Sequence, residues 1–165
     1  MGVLPKEKIE SIFFVDAMLG NIAKKMRLMG FDVKYWADIE DDELIKLAKN
    51  EKRIIISRDG ELVRKGLKMG IESIFLKNQK EIEQLREIIN KLNLKIIKIN
   101  GDVARCPKCN SKTLLILKKN IRNKIPDKIL EYNDKFWECK FCDQIFWEGT
   151  HIKNLQKIVC ELNDR

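Results

Sequence analysis

The stretch RIIISRDGEL, residues 53–62, decides how the first part of this chain folds. Its three consecutive isoleucines, 54–56, form a continuous apolar run, which is typical of a strand buried on both faces of a parallel sheet. Two acids and a glycine follow at 59–61, and ELVRKGLKMG at 61–70 has the spacing of a helix that ends at a glycine. The stretch predicts a strand over 53–57, a helix over 61–70, and Asp59 just beyond the end of the strand.

Short apolar runs alternate with amphipathic segments through most of the first hundred residues. The runs predict strands at 12–15, 33–36, 53–57 and 73–76, with a further edge strand at 95–99. The helical spacing predicts helices at 16–30, 41–50, 61–70 and 79–93. Because the strands are continuously apolar, the alternation predicts an α/β fold with helices on both faces of a parallel sheet.

The pattern changes at about residue 100, where we place a domain boundary. Short β-prone segments at 113–117, 135–139 and 144–147 surround pairs of cysteines, and 127–132 and 151–162 have the spacing of short helices. A segment of about 60 residues can hardly build a sufficient apolar core alone, so this part of the chain needs another source of stability.

The composition favours a soluble protein with a polyanionic partner. The chain of 165 residues carries 33 basic and 25 acidic side chains, a net charge of +8, and such a charge suits nucleic acid. Lysine-rich composition alone can give the same charge. The sequence has no apolar run long enough for a membrane helix, and its first residues lack the apolar stretch of a secretory signal, so we expect a cytoplasmic protein with no membrane partner.

Four of the five cysteines form two C-x-x-C pairs, CPKC at 106–109 and CKFC at 139–142. Two such pairs can supply the four sulfur ligands that Zn²⁺ favours, and a closed shell of four thiolates predicts a structural ion. The alternatives are redox dithiols or an iron–sulfur centre. The metal ligands are therefore Cys106, Cys109, Cys139 and Cys142, whereas Cys160 lies on the apolar face of a helix and is expected in the core.

Acids follow the predicted strands. Asp16 comes directly after 12–15, Asp41 and Asp42 begin the helix after the second strand, and Asp59 and Glu61 follow the third. The carboxyl ends of parallel strands lie at one edge of a sheet, so these acids should converge there, and a hard divalent cation would neutralise them. The alternative is that Asp16 and Asp41 are helix caps and Asp59 a turn residue.

The chain resembles the Mut7-C ribonuclease family, a PIN-like nuclease domain fused to a C-terminal zinc ribbon. The resemblance covers about 12–155 and includes FFVDAMLGNIAKKMRLMGFDV (13–33), DDELIKLA (41–48), RIIISRDGEL (53–62) and FWEGTH (146–151). It implies a PIN-like three-layer α/β/α domain over 1–102 and a zinc-ribbon domain over 103–165. Ser57 stands where the family more usually has threonine, and the hydroxyl is kept.

The resemblance implies a metal-dependent endoribonuclease that hydrolyses RNA phosphodiester bonds, with the ribbon assisting RNA binding. Asp16, Asp59 and either Asp41 or Asp42 correspond to the catalytic acids that hold Mg²⁺ or Mn²⁺, and Glu61 is an additional acid. The alternatives are a non-catalytic RNA-binding or scaffold protein that kept the fold, and a toxin-like ribonuclease with an antitoxin partner.

Four further residues are expected to bind the substrate: Arg27, Arg58, Trp147 and His151. Arg27 lies three helical turns after Asp16, where it can contact phosphate, pair with an acid or simply pack. Arg58 is next to Asp59. Trp147 and His151 belong to the segment FWEGTH, where an aromatic ring can stack on an unpaired base, although His151 can equally be a satisfied residue of the ribbon.

Overall fold

The computed structural model of this chain describes residues 11–94 and 97–164. Its first half alternates four strands with four helices. The strands are β1 (Ile12–Val15), β2 (Asp32–Lys34), β3 (Ile54–Ser57) and β4 (Ser73–Phe75), and the helices are α1 (Gly20–Leu28), α2 (Asp41–Glu51), α3 (Gly60–Lys68) and α4 (Glu81–Lys91). A 3-10 turn, Ala17–Leu19, replaces the first turn of the helix predicted over 16–30.

The four strands form one parallel sheet in the order β2-β1-β3-β4. The chain leaves β1 for a neighbour on one side, β2, and then returns to the other side of β1 as β3. The β1–β3 boundary is therefore the switch point of the sheet, the place where open α/β sheets commonly bind ligands.

Side chains of the central strands alternate between two apolar clusters, so helices cover both faces. Phe13 and Val15 of β1 belong to the larger cluster, which also contains residues of α1 and α4. Phe14 of β1 and Ile55 of β3 belong to the second cluster, together with residues of α2 and α3. The predicted α/β fold with a parallel sheet between helical layers is confirmed.

The second half of the chain contains an antiparallel sheet and two helices. Its strands, in the order β5-β6-β7, are β5 (Leu114–Ile116), β6 (Phe136–Cys139) and β7 (Gln144–Phe146). A 3-10 turn, Lys118–Asn120, and the short helix α5 (Asp127–Tyr132) lie between β5 and β6, and the long helix α6 (Thr150–Asn163) follows β7. The arrangement is consistent with the expected ribbon.

The last helix packs on the first domain. Leu155, Val159 and Leu162 of α6 are buried in the larger cluster beside α1 and α4. The side-chain amide of Asn163 accepts from the Ile97 N–H at 3.0 Å and donates to the Ile97 carbonyl at 2.7 Å. The domain boundary between residues 102 and 103 remains a prediction. The apolar contacts of α6 cross that boundary.

Two predictions about the C-terminal half of the fold differ from the structure. Cys160, expected in the core, is exposed, because the buried face of α6 is formed by Leu155, Val159 and Leu162. The edge strand expected over 95–99 falls partly on Lys95 and Ile96, which lie outside the described residues. Ile97 and Ile99 are buried but do not belong to a strand.

The first cysteine knuckle covers the edge of the parallel sheet. The buried guanidinium of Arg27 donates from Nε and Nη2 to the Val33 carbonyl of β2, at 3.0 and 2.8 Å, and from Nη1 to the Pro107 carbonyl at 2.8 Å. The Val33 N–H donates to Asn110 Oδ1 at 2.9 Å. Both backbone groups of Val33, which would otherwise face outward on the edge strand, are thereby satisfied.

A carboxylate network strengthens the same junction. Asp32 Oδ1 accepts from Arg53 Nη1 at 2.7 Å and from Asn110 Nδ2 at 2.9 Å, which joins β2, the start of β3 and the knuckle. Although partial burial acts to raise it, these hydrogen bonds hold the pKa of Asp32 below its usual value.

Within 11–94 and 97–164, no helix is long and apolar enough to cross a membrane.

Replacement of Arg27 by methionine should lower the free energy of unfolding by about 2–4 kcal/mol, because the Val33 and Pro107 carbonyls lose charged donors. Lysine should recover less than half of this loss, since an ammonium group lacks the planar fork that reaches both carbonyls. Urea denaturation of the metal-loaded protein measures the effect. Arg122→Met, at an exposed position, is the control, and equal stability of the two methionine variants would contradict this account.

Candidate active site and metal centre

Two of the predicted acids are linked by a serine at the switch point. Asp16 follows β1 and Asp59 follows β3, the strand beside it. The Ser57 hydroxyl donates to Asp16 Oδ2 at 2.6 Å and accepts from the Asp59 N–H at 2.8 Å. The structure therefore brings Asp16 and Asp59 together through a side chain that belongs to β3 itself.

The two acids differ in what holds them. The side chain of Asp16 is buried and, among the described residues, makes no capping hydrogen bond to the helical turn that follows it. Asp59 is exposed, and its Oδ1 accepts from the Glu61 N–H at 2.7 Å and the Leu62 N–H at 3.4 Å, so it caps α3. Asp16, a helix cap in the alternative interpretation, thus makes no capping hydrogen bond within the described chain, whereas Asp59, a turn residue in that interpretation, is the residue that caps a helix.

Asp41 lies near the same two carboxylates. Burial raises the pKa of the Asp41 carboxyl, and the negative charges of Asp16 and Asp59 raise it further. The charge of Lys65 acts in the opposite direction. Since such effects require nearby charges, three acids from three different strand–helix connections share one region of the sheet edge.

Asp42 points elsewhere. It forms an ion pair with Lys65 of α3, and its side chain is 83% exposed. Successive residues of a helix are about 100° apart around its axis, so Asp41 and Asp42 leave α2 in different directions. The charges of Asp16 and Asp59 act on Asp41, and its role as the middle acid stays a prediction.

Glu61 lies at the rim. Its side chain is 88% exposed, and Oε1 is 3.8 Å from Arg64 Nη2 one turn along α3. The three aspartates are not drawn into a tight cluster either. Of the residues that the structure describes, only the four cysteines bring three or more ligand atoms within 4.8 Å of one another.

Two residues of this region are not predicted from the sequence as site residues. Ser57 joins Asp16 to Asp59, and Lys65 pairs with Asp42 while its charge acts to lower the pKa of Asp41. The tripeptide S-R-D contains the only sequence signal for Ser57, since a hydroxyl two residues before an acid can bond its backbone N–H. Lys65 has no such signal, because its partner is on another helix.

Arg58 lines a groove beside the acids. The groove has a volume of about 420 Å³ and passes Ala17, Asn21, Lys24 and Gln79. Arg58 Nε is buried and has no hydrogen-bond partner among the residues described. Arg58 therefore lies next to the turn that follows Asp16. Its contact with the substrate stays a prediction.

Arg27 does not reach this groove. It is buried, and its guanidinium donates to carbonyls of β2 and of the first knuckle, as described above. The expectation that Arg27 contacts RNA phosphate is corrected, because its donors are directed into the junction between the two parts of the molecule. The packed alternative is the one that the structure shows.

Trp147 and His151 lie at the other end of α1. Trp147 lines a cavity with Leu28 and Arg105, next to the last residue of α1, whereas Asp16 precedes the first. His151 is exposed in the first turn of α6. The structure does not bring these two residues together with the aspartates.

The four predicted cysteine ligands meet. Their sulfur atoms lie within 4.8 Å of one another, and Cys109 Sγ is 3.5 Å from Cys139 Sγ. The residue after each pair, Asn110 or Asp143, has a positive φ, 69° or 54°, which asparagine and aspartate tolerate. The two pairs thus use the same turn to direct four sulfurs at one point, a donor set that fits a tetrahedral Zn²⁺.

The thiols of the cluster differ in acidity. Burial raises the pKa of Cys106. Burial also acts to raise the pKa of Cys109, but hydrogen bonds from Ser111 and the neighbouring thiols lower it to about 6. The lowered pKa of Cys109 favours its thiolate, which is the form that binds a metal.

Comparison with known proteins gives one family. The sequence model of the Mut7-C RNAse domain matches residues 11–159, which is most of the chain and includes both the acids and the cysteines. No curated protein and no solved structure matches. The family match supports a ribonuclease-type function with RNA as the substrate, and the chain belongs to the Mut7-C RNAse domain family.

Proposed function

We propose that this protein is a metal-dependent endoribonuclease of the PIN type whose active site is formed by Asp16, Asp41 and Asp59. The observation that supports it best is the hydrogen-bonded link from the Asp59 N–H through Ser57 to Asp16 at the switch point of the sheet. The raised pKa of Asp41 supports its membership of the same group of acids. In this proposal Asp42 and Glu61 lie at the rim of the active site.

The donor chemistry fits a hard divalent cation. The pKa of Asp41 is raised by burial and by the charges of Asp16 and Asp59, and Mg²⁺ or Mn²⁺ prefers oxygen ligands of this kind. Asp16, Asp41 and Asp59 would hold such an ion. When bound, the ion supplies a hydroxide nucleophile near neutral pH and offsets the negative charge that develops on the phosphate.

Other side chains of the protein orient the acids of this site and offset part of their negative charge. Ser57 fixes the Asp16 carboxylate by donating to Oδ2, which keeps the other oxygen available. Capping of α3 fixes Asp59. Lys65 pairs with Asp42, and its positive charge also acts to lower the pKa of Asp41. Arg58 lines the open groove that passes Ala17, the residue after Asp16, and would contact a phosphate of the substrate.

The cysteine cluster is proposed to hold a structural Zn²⁺. Four sulfur ligands leave no position open for chemistry, and Cys106 and Cys139 are fully buried. The ion would fix the knuckle whose Pro107 carbonyl accepts from Arg27 and whose Asn110 side chain accepts from the Val33 N–H at the edge of the parallel sheet. The ribbon would also assist RNA binding through Trp147 and His151.

A cytoplasmic location of the protein stays a prediction.

Asp16→Asn and Asp41→Asn should each lower the rate of RNA cleavage by at least about 100-fold, because each removes a direct ligand. Asp42→Asn should change the rate by less than about threefold, since its carboxylate is paired with Lys65. Cleavage of labelled structured and unstructured RNA with Mg²⁺, Mn²⁺ or EDTA measures this. Tight RNA binding with no cleavage under any metal would instead support the scaffold alternative.

Ser57→Ala should lower the cleavage rate by about 10- to 100-fold, because a buried carboxylate loses the donor that orients it. Ser57→Thr keeps the hydroxyl and should retain most of the activity. The comparison uses the same RNA and saturating Mn²⁺, with melting temperature as a check on folding. Equal rates for the alanine and threonine variants would show that Ser57 does not position Asp16.

Cys106→Ser should abolish stoichiometric zinc binding and lower the melting temperature by about 10 °C or more, because loss of a structural metal removes several kcal/mol. Cys160→Ser is the matched control, since Cys160 is exposed and outside the cluster. Elemental analysis and thermal unfolding followed by circular dichroism give the two readouts. A Cys106→Ser protein that keeps one zinc per chain would contradict the assignment.

A further inference from the structure

An apolar cavity lies between the ribbon and the first domain, beside the first cysteine knuckle and apart from Asp16. Its volume is about 130 Å³, and its walls are mostly apolar. The apolar wall is formed by side chains of both parts of the molecule: Leu28, Ile99, Trp137, Phe146, Trp147 and Ile152. The aspartates lie beyond the opposite end of α1, so this cavity is separate from the proposed catalytic centre.

We propose that this cavity takes one unpaired pyrimidine base of the RNA substrate, cytosine in preference to uracil. The proposal rests on the proposed function for the identity of the substrate. An apolar protein cavity of about 150 Å³ can hold one benzene ring, so a cavity of about 130 Å³ suits a single six-membered ring rather than a purine. Tryptophan side chains are favourable surfaces for an unstacked base.

One carboxylate in the wall of the cavity gives the site a preference for a base that donates a hydrogen bond. Glu148 Oε1 accepts from the Gly101 N–H, and Oε2 accepts from Gln156 Nε2, both at 3.2 Å. Each oxygen retains a further lone pair, because an ionised carboxylate accepts about four hydrogen bonds. The exocyclic amino group of cytosine donates to a carboxylate, whereas uracil presents a carbonyl oxygen at the same position.

The surrounding charges favour recognition of a base over recognition of phosphate. A groove of about 550 Å³ adjoins the cavity and shares Asn100, Trp137 and Glu148 with it. The two concavities together carry three basic and three acidic side chains: Arg105, Lys135, Lys153, Asp102, Asp134 and Glu148. Their charges balance, so the cavity would contribute specificity, and the net charge of +8 on the chain would attract the phosphates.

The first test fills the cavity. Fluorescently labelled single-stranded RNA hexamers of cytidine, uridine and adenosine are titrated with zinc-loaded protein without added Mg²⁺ or Mn²⁺, so that binding is measured without cleavage. The expected order of affinity is cytidine, then uridine, then adenosine. Ala104→Leu, at a residue that lines the cavity, should weaken binding of the cytidine hexamer about tenfold, the scale of one stacked base.

The second test keeps the volume of one side chain in the cavity wall and changes its polarity. Glu148→Gln replaces one acceptor oxygen with a donor group, and it should remove the preference for cytidine over uridine hexamers. Glu161→Gln, at an exposed position of α6, is the matched control and should retain that preference. This variant decides the matter even where Ala104→Leu fails to fold.

Three outcomes would overturn the proposal. One is an Ala104→Leu protein with a higher melting temperature and unchanged hexamer affinity, which would show a packing void. The others are a Glu148→Gln protein that keeps the preference for cytidine over uridine hexamers, and binding of free cytidine that depends on Ala104 while the hexamer is unaffected. Because no cleavage is measured, loss of activity in the Asp16 variant and loss of base preference here can be judged separately.

Discussion

The parallel direction of β1 and β3 is the constraint on which the candidate active site depends. Parallel neighbours end at the same edge of a sheet, so the residues that follow them are close in space although they are 43 positions apart, as Asp16 and Asp59 are. Ser57, the last residue of β3, then spans the remaining gap with one hydroxyl. The alternation of apolar strands and helices, which forces the parallel arrangement, therefore also assembles the acids.

Electrostatics limit how closely the acids can approach. Carboxylates that are brought together raise one another's pKa, as Asp16 and Asp59 do to Asp41, and they remain more widely spaced than the four sulfurs of the cysteine cluster. The chain reduces this repulsion locally by pairing Asp42 with Lys65. A site that is unfavourable as free carboxylates is favourable for a cation, and this is the physical reason why the geometry supports the proposed metal-dependent hydrolysis.

The cysteine knuckle and the parallel sheet depend on each other. An edge strand exposes unpaired backbone groups, and β2 satisfies those of Val33 with Arg27 and with Asn110 of the knuckle. The last helix, α6, then returns to the core of the first domain. The ribbon is consequently held at the end of α1 that is remote from the acids. The proposed function would use the two ends of the molecule for different contacts with one extended RNA, cleavage at the aspartates and base recognition at the ribbon.

The sequence by itself determined the order of the strands and helices, the parallel sheet, the cysteine quartet and the acids after β1 and β3, because periodicity and short spacings encode all of these locally. Only the tertiary structure decided that Asp41 rather than Asp42 is near the other acids, that Arg27 is buried in the junction, and that Cys160 is exposed. The reason is physical: neighbouring residues of a helix point about 100° apart, and the partner of each side chain is set by elements distant in sequence, which local patterns do not specify.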